Sequence, residues 1–356
     1  HAVNDAQVVM ASLIAGNDAP DIYVSTPELV NVYKEYLYDW RNDEEVLAQF
    51  QEGIVEAITA ADGSIYGLPN SRINVGLVYN KDVLAAAGYD SIPLTISGFE
   101  EMCAAIAEKT DAVPFVIGIG SGFLQAQMID AYMITKDQPG SVLAAKLNAG
   151  EVTVSGSNRN FNNFWRMLDI ATTYIDGETL LEYSWEYPCN MLANGKAAVI
   201  SYGDWGYGAI ADFNADVNLG LSSYPVSEDE ADAVTPTSAN QIAMLFQNGE
   251  NFDLAKELAA FLTTSYESAE YFISDYGGVS CNIAGAQVDP ALYNDLLLQA
   301  DEIAQAGRTV DRMQNYYPAG NPNYMTEVGE VIQGYVIGLY SQEEANALID
   351  AAWVAG

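Results

Sequence analysis

The chain has 356 residues, half of them apolar, and carries 49 acidic against 13 basic side chains for a formal net charge of −36. A field this negative repels a phosphate backbone and an anionic membrane surface, which excludes nucleic acid as a partner; the acidity reads either as a highly soluble outward-facing surface or as a preference for a cationic ligand. No apolar run reaches the roughly 18 residues that would span a bilayer.

One histidine, His1, and three scattered cysteines, Cys103, Cys189 and Cys281, leave no Ser-His-Asp or Cys-His arrangement and no zinc spacing, so neither metal nor cofactor is expected. A disulfide between two of the three cysteines stays open. The chain opens without a signal peptide, as expected if one was removed or lies upstream.

In chain order, the apolar run Ile22–Val24 is short enough for a strand. The runs Asp62–Pro69 and Val75–Asp82 read as two β-type segments flanking a polar loop, Asn70–Asn74, with a helix stopping at Gly88. Ser97 and Glu100 have capping-box spacing, opening a helix with the apolar stripe Phe99, Met102, Cys103 and Ile106. The strand Pro114–Ile119 runs into Gly118–Phe123, a glycine-rich loop without a complete phosphate-binding pattern. Phe161, Phe164, Trp165 and Leu168 mark an amphipathic helix, and strand Ala197–Tyr202 leads into the turn Gly203-Asp-Trp-Gly206.

Strands Leu219–Tyr224 and Ile242–Phe246 bracket an acidic stretch, Ser227–Asp232, expected as a solvated loop. Capping-box spacing recurs at Thr264/Glu267 and Ser341/Glu344, and Val328, Val331, Ile332, Tyr335 and Val336 form a further helical stripe. Strands alternating with helices over this length predict an α/β chain in two lobes.

Asp62–Pro69 followed by Val75–Asp82, the run Leu13–Ile22, Asn194–Trp205, Leu254–Leu262 and Ser341–Ala352 resemble, in order, the conserved stretches of the extracellular solute-binding proteins of family 1, which deliver sugars to ABC importers. The resemblance implies a two-lobed periplasmic-binding-protein-like fold of type II, with a ligand cleft between the lobes and hinge closure. It places an N-lobe at residues 1–111 and 237–288 and a C-lobe at 112–236 and 289–356. The family's usual strand–helix–strand before Leu13 has no counterpart, so the N-lobe is expected to be incomplete, with open strand edges and an exposed apolar face. Implied partners are an oligosaccharide and the transmembrane permease subunits. The implied location is extracellular or periplasmic, with a lipid anchor on the full-length protein.

Sugars are held by aromatic faces and planar polar groups, and the resemblance points to Trp205 as a stacking platform with Asp204 beside it. Ser71, Arg72 and Asn74 would supply polar contacts from one lobe, and Phe123 or Gln125 from the other. Tyr183, Trp185, Tyr316, Tyr317 and Tyr324 are further aromatic candidates, and Ser238 and Asn240 lie near a lobe crossing. For each aromatic the alternative is core packing, and for Arg72 a surface ion pair worth roughly 0–1 kcal/mol. A cationic solute in the same fold, or a polysaccharide-active enzyme, are the competing functions; with so many carboxylates, their spacing in sequence carries no catalytic signal.

Overall fold

A computed structural model describes residues 3–60, 62–318, 321 and 323–354. Among the described residues there are eight strands: β1 (Ile22–Ser25), β2 (Leu68–Asn80), β3 (Val113–Val116), β4 (Ala197–Gly203), β5 (Leu219–Ser222), β6 (Thr235–Leu245), β7 (Val279–Ser280) and β8 (Thr309–Asp311). Two compact units form, one from residues 1–72, 239–273 and 279–289, the other from 73–238, 274–278 and 290–356.

In the first unit β1 runs antiparallel to the end of β6, with Ile22 opposite Leu245 and Ser25 opposite Ile242, while β7 pairs antiparallel with Ser71 and Arg72 of β2. Because side chains alternate along a strand, β6 feeds two cores. Leu245 packs with Trp40, Phe50, Ile54 and Leu68; Ile242, Met244 and Phe246 pack with Met10, Leu29, Tyr33 and Leu37. β1 ends the strand order. Val24 on it is exposed, as are Leu254, Leu258 and Phe261 of the helix Phe252–Thr264.

In the second unit β4 lies antiparallel to β2 (Val75 opposite Gly203) and parallel to β3, and β5 flanks β2 from Leu77 to Asn80. Helices Ile96–Lys109, Gly122–Met133 and Asn163–Tyr174 bury Phe99, Phe115, Tyr132, Phe164 and Trp165 in one large core.

Three expectations are corrected. Asn70–Asn74 is no loop: it lies inside the 13-residue strand β2, held by the backbone pairing of Ser71 and Arg72 with β7 and by bonds from the Asn70 side chain to the Gln241 carbonyl (2.7 Å) and from Asn74 to Asp204 (2.7 Å). The helix expected to start at Ser97 is capped by Thr95, which accepts from Gly98 N–H (3.2 Å); Ser97 and Glu100 turn outward to Glu228 and Arg166. Ser265, not Thr264, caps the helix Tyr266–Tyr271, since the Thr264 hydroxyl is spent on the Ala260 carbonyl one turn back. The box at Ser341 and Glu344 forms as read.

All three cysteines are free and buried. Burial pushes the Cys189 and Cys281 thiols up to about 12 and Cys103 higher still, so each packs as a small apolar group.

The second unit also holds a buried carboxylate, Asp130, and a half-buried one, Asp311, near the Arg312 guanidinium. Burial pushes Asp130 up to about 6 against the pull of Arg312, and does the same to Asp311 against the Tyr316 hydroxyl. Both carboxyls bind a proton more tightly folded than unfolded. Their contribution is therefore fully present below the ordinary carboxylate range and is lost as pH rises through about 6. Asp311→Asn is expected to flatten the fall in unfolding free energy between about pH 4 and pH 6, by on the order of 1–2 kcal/mol in urea titrations. An unchanged slope would remove Asp311 from that role.

Candidate functional site

The turn after β4 is organised around Trp205. Gly203 ends the strand opposite Val75, and residues Asp204–Gly206 form one turn of 3-10 helix. The indole lies flat over the Gly203 backbone: a Cβ on Gly203 would stand 1.8 Å from Cζ3 and 2.3 Å from Cε3. Tyr202 stacks beside it with ring centroids 5.3 Å apart and tilted by 36°. Burial raises the Tyr202 hydroxyl, and a hydrogen bond from Trp205 works the other way. Trp205 itself is half-buried.

Asp204 is fully buried. Its Oδ1 accepts from the Asn74 backbone N–H (3.0 Å) and from Trp205 N–H (2.9 Å), and its Oδ2 from Asn74 Nδ2 (2.7 Å). Asn74 and Asp204 continue the register of the β2–β4 pair by one step. Sequence placed both as ligand contacts; here each is bonded to the other, inside the protein.

A second cluster surrounds the glycine-rich loop. The Gly120 N–H donates to the Tyr183 carbonyl (2.9 Å), and the Ser121 hydroxyl accepts from Trp185 N–H (2.9 Å). A Cβ at Gly120 would lie 2.6 Å from the Leu181 carbonyl oxygen, so the glycine serves backbone-to-backbone packing rather than a phosphate. Phe123, two residues beyond Ser121, is exposed, and Tyr183 and Trp185 on the other side of the seam are half-buried. Gln125, wholly buried on the helix behind, donates to the Gly118 carbonyl (2.8 Å).

The remaining aromatics sit elsewhere. Tyr317 and Tyr324 are buried against each other (4.9 Å), with the Tyr317 hydroxyl on Asp130 (3.1 Å) and Tyr324 edge-on to Trp353. Tyr316 is half-buried, its hydroxyl bonded to Asp311 and Ser141.

Several polar candidates share one property. The Ser71 hydroxyl, Arg72 Nε, Gln125 Oε1 and the Ser238 hydroxyl are buried polar atoms with no hydrogen-bond partner. Leaving such an atom unsatisfied costs about 1–3 kcal/mol, which is tolerated where a ligand supplies the bond. Arg72 makes no ion pair within 4.0 Å among the described residues, despite the excess of acids. Asn70 Oδ1, not singled out in the sequence, belongs to the same group. Its signal was position, next to Ser71 on a buried strand. Asn240 is buried, and its side chain accepts from Gln241 N–H (2.6 Å), whose backbone has a positive φ of 49°. Non-glycine strain of this kind gathers at functional sites.

Two shallow depressions lie apart from these residues. The larger, about 440 Å³, is lined by Asp82, Asp111, Lys196 and Asn214 among others and contains none of the candidates. Among the described residues no cluster of His, Cys, Asp and Glu could hold a metal ion, and no helix is long and apolar enough to cross a membrane.

Residues 4–265 match the family model of the bacterial extracellular solute-binding proteins. The chain belongs to that family. No curated protein matches the sequence. Among solved structures the fold is similar to a chitin oligosaccharide binding protein (18% identity, TM-score 0.80, covering 98% of this chain and 86% of that one). It is similar also to the solute-binding protein RafE in complex with raffinose (16%, TM-score 0.76, 98% and 89%). A third likeness is to a sugar transporter protein from Bacillus licheniformis in complex with stachyose (15%, TM-score 0.76, 98% and 88%). At these identities the likeness establishes the two-lobed α/β architecture of such binding proteins. Family and neighbours are binding proteins rather than enzymes.

Proposed function

We propose that this solute-binding protein takes an oligosaccharide as its ligand and hands it to an ABC permease at the outer face of the membrane, without catalysing any change in it. The observation that carries the reading is the half-exposed Trp205 ring seated on Gly203, a platform for the C–H face of a pyranose. Arg72, half-buried and with no partner for its Nε, supports it as a donor suited to a sugar hydroxyl. Phe123, Tyr183 and Trp185 add aromatic surface around the glycine-rich loop. Tyr317 and Tyr324 are assigned to holding the core beneath it. Raffinose, stachyose and chitin oligosaccharide, named with three structural neighbours, are consistent with this class of ligand. A lipid anchor on the full-length protein would keep it at the cell surface.

A thermal-shift screen tests the proposal, with raffinose-type, xylo- and chito-oligosaccharides set beside polyamines and amino acids. A ligand at a hundred times its Kd stabilises by about 2.7 kcal/mol, so an oligosaccharide hit is expected to raise the midpoint by several degrees. Recovery of the bound glycan uncleaved is the accompanying expectation. A shift with polyamines and none with sugars would transfer the function to cationic solutes; shortened glycans would make the protein an enzyme.

A further inference from the structure

We infer that Asp204 and Asn74 are positioning residues: together they form a bracket that fixes the Trp205 ring, and Asp204 itself does not touch the ligand. Only the consequence for binding rests on the carbohydrate reading above. Asp204 exposes no surface to solvent, and its carboxylate turns back into the protein. One oxygen closes the turn by taking the N–H of Trp205 itself (2.9 Å). The same oxygen, with its neighbour, takes both the backbone and the side-chain N–H of Asn74 on β2 (3.0 and 2.7 Å). The backbone of residue 205 is thereby tied to a central strand.

The ring is then confined from two more directions. Gly203 lies beneath it, closer than any side chain would permit, and Tyr202 lies alongside. A tryptophan held this way loses little freedom when a sugar stacks on it, which is where pre-organisation gains affinity. Gly203 accounts for where the ring rests, whereas the bracket accounts for the direction from which the chain presents it.

Hydrogen-bond geometry, not charge, is what this role requires. Asp204→Asn keeps an oxygen for the two backbone N–H groups, and the Asn74 amide can turn over to accept from the new Nδ2. Asp204→Ala keeps none of these bonds. A direct contact between the carboxylate and a sugar hydroxyl predicts the opposite pattern, with both variants losing affinity.

The test is fluorine NMR of the whole chain labelled with 5-fluorotryptophan, which reports Trp40, Trp165, Trp185, Trp205 and Trp353 separately. The Trp205 line is assigned by its loss in Trp205→Phe. In Asp204→Ala that line alone is expected to shift and broaden, and in Asp204→Asn it returns to the wild-type position. Calorimetry with raffinose, xylotriose and chitotriose as probes is expected to show Kd raised at least about tenfold by Asp204→Ala and nearly unchanged by Asp204→Asn. An undisturbed Trp205 line in Asp204→Ala, or equal damage from Asp204→Asn, overturns the inference.

If Asp204→Ala fails to fold, Asn74→Ala decides, since it removes only the amide donor: a selective change at Trp205 supports the bracket and no change refutes it. If no probe binds the wild type while the Trp205 line behaves as described, the carbohydrate reading falls and the bracket stands.

Discussion

Trp205→Ala is expected to weaken oligosaccharide binding by roughly thirtyfold to a thousandfold while leaving the unfolding midpoint nearly unchanged, because a central aromatic anchor contributes about 2–4 kcal/mol. The ring is half-buried, rests on a glycine, stands tilted beside Tyr202, and packs at the margin of the large core. Truncating it removes contact area for a ligand more than it removes protein packing.

Gly203→Ala should reach the same loss by a different route. The new methyl would stand 1.8 Å from Cζ3, so the indole must swing away. The strand itself tolerates alanine, since Gly203 has extended backbone angles (φ −168°, ψ 177°). Calorimetry of both variants beside urea unfolding separates the effects. Wild-type affinity in Gly203→Ala would mean that the ring is not the platform.

The second large effect concerns Asp130 and Arg312. Both side chains are wholly buried and meet at 3.0 Å, and the Tyr317 hydroxyl donates to the other oxygen of Asp130 at 3.1 Å. Arg312 also donates its backbone N–H to the Thr237 carbonyl (3.0 Å), linking this pair to the start of β6. Removing one partner leaves an uncompensated charge wholly buried in the protein, and such losses run to about 3–5 kcal/mol.

Asp130→Ala should therefore shift the urea midpoint strongly without altering the slope of the transition. The double variant Asp130→Leu with Arg312→Met should recover much of that loss, because two apolar groups carry no desolvation cost. A loss under about 1 kcal/mol in the single variant, in the range of an exposed pair, would contradict the assignment.

Six of the eight strands were legible as apolar runs, and so was the alternation that makes the chain α/β. β7 and β8, at two and three residues, are too short for periodicity to mark. The polar stretch Asn70–Asn74 misled because the contacts that hold it as a strand, to β7, Gln241 and Asp204, are distant in sequence; such a strand looks locally like a loop. Capping boxes at Ser97 and Thr264 failed for a related reason. Spacing shows that a box is possible, but a neighbouring Thr95 or Ser265 can cap first.

Among the candidates, Trp205, Ser71 and Arg72 were named from sequence because a loop aromatic after a strand and a polar run in a family motif are local signals. The mutual engagement of Asn74 and Asp204 was not, since a carboxylate beside a tryptophan looks the same whether it faces a sugar or a buried amide. The same holds for Tyr317 and Tyr324, whose setting among Pro and Gly gave no hint of Asp130 and Trp353 behind them.

The most direct test of the central claim is calorimetric titration of the folded chain with raffinose, stachyose, xylo-oligosaccharides and chito-oligosaccharides. A saturable one-to-one heat with at least one of them, with a Kd near or below about 10⁻⁶ M (about −8 kcal/mol), is the predicted result. A cooperatively folded sample that gives no heat with any oligosaccharide would contradict it.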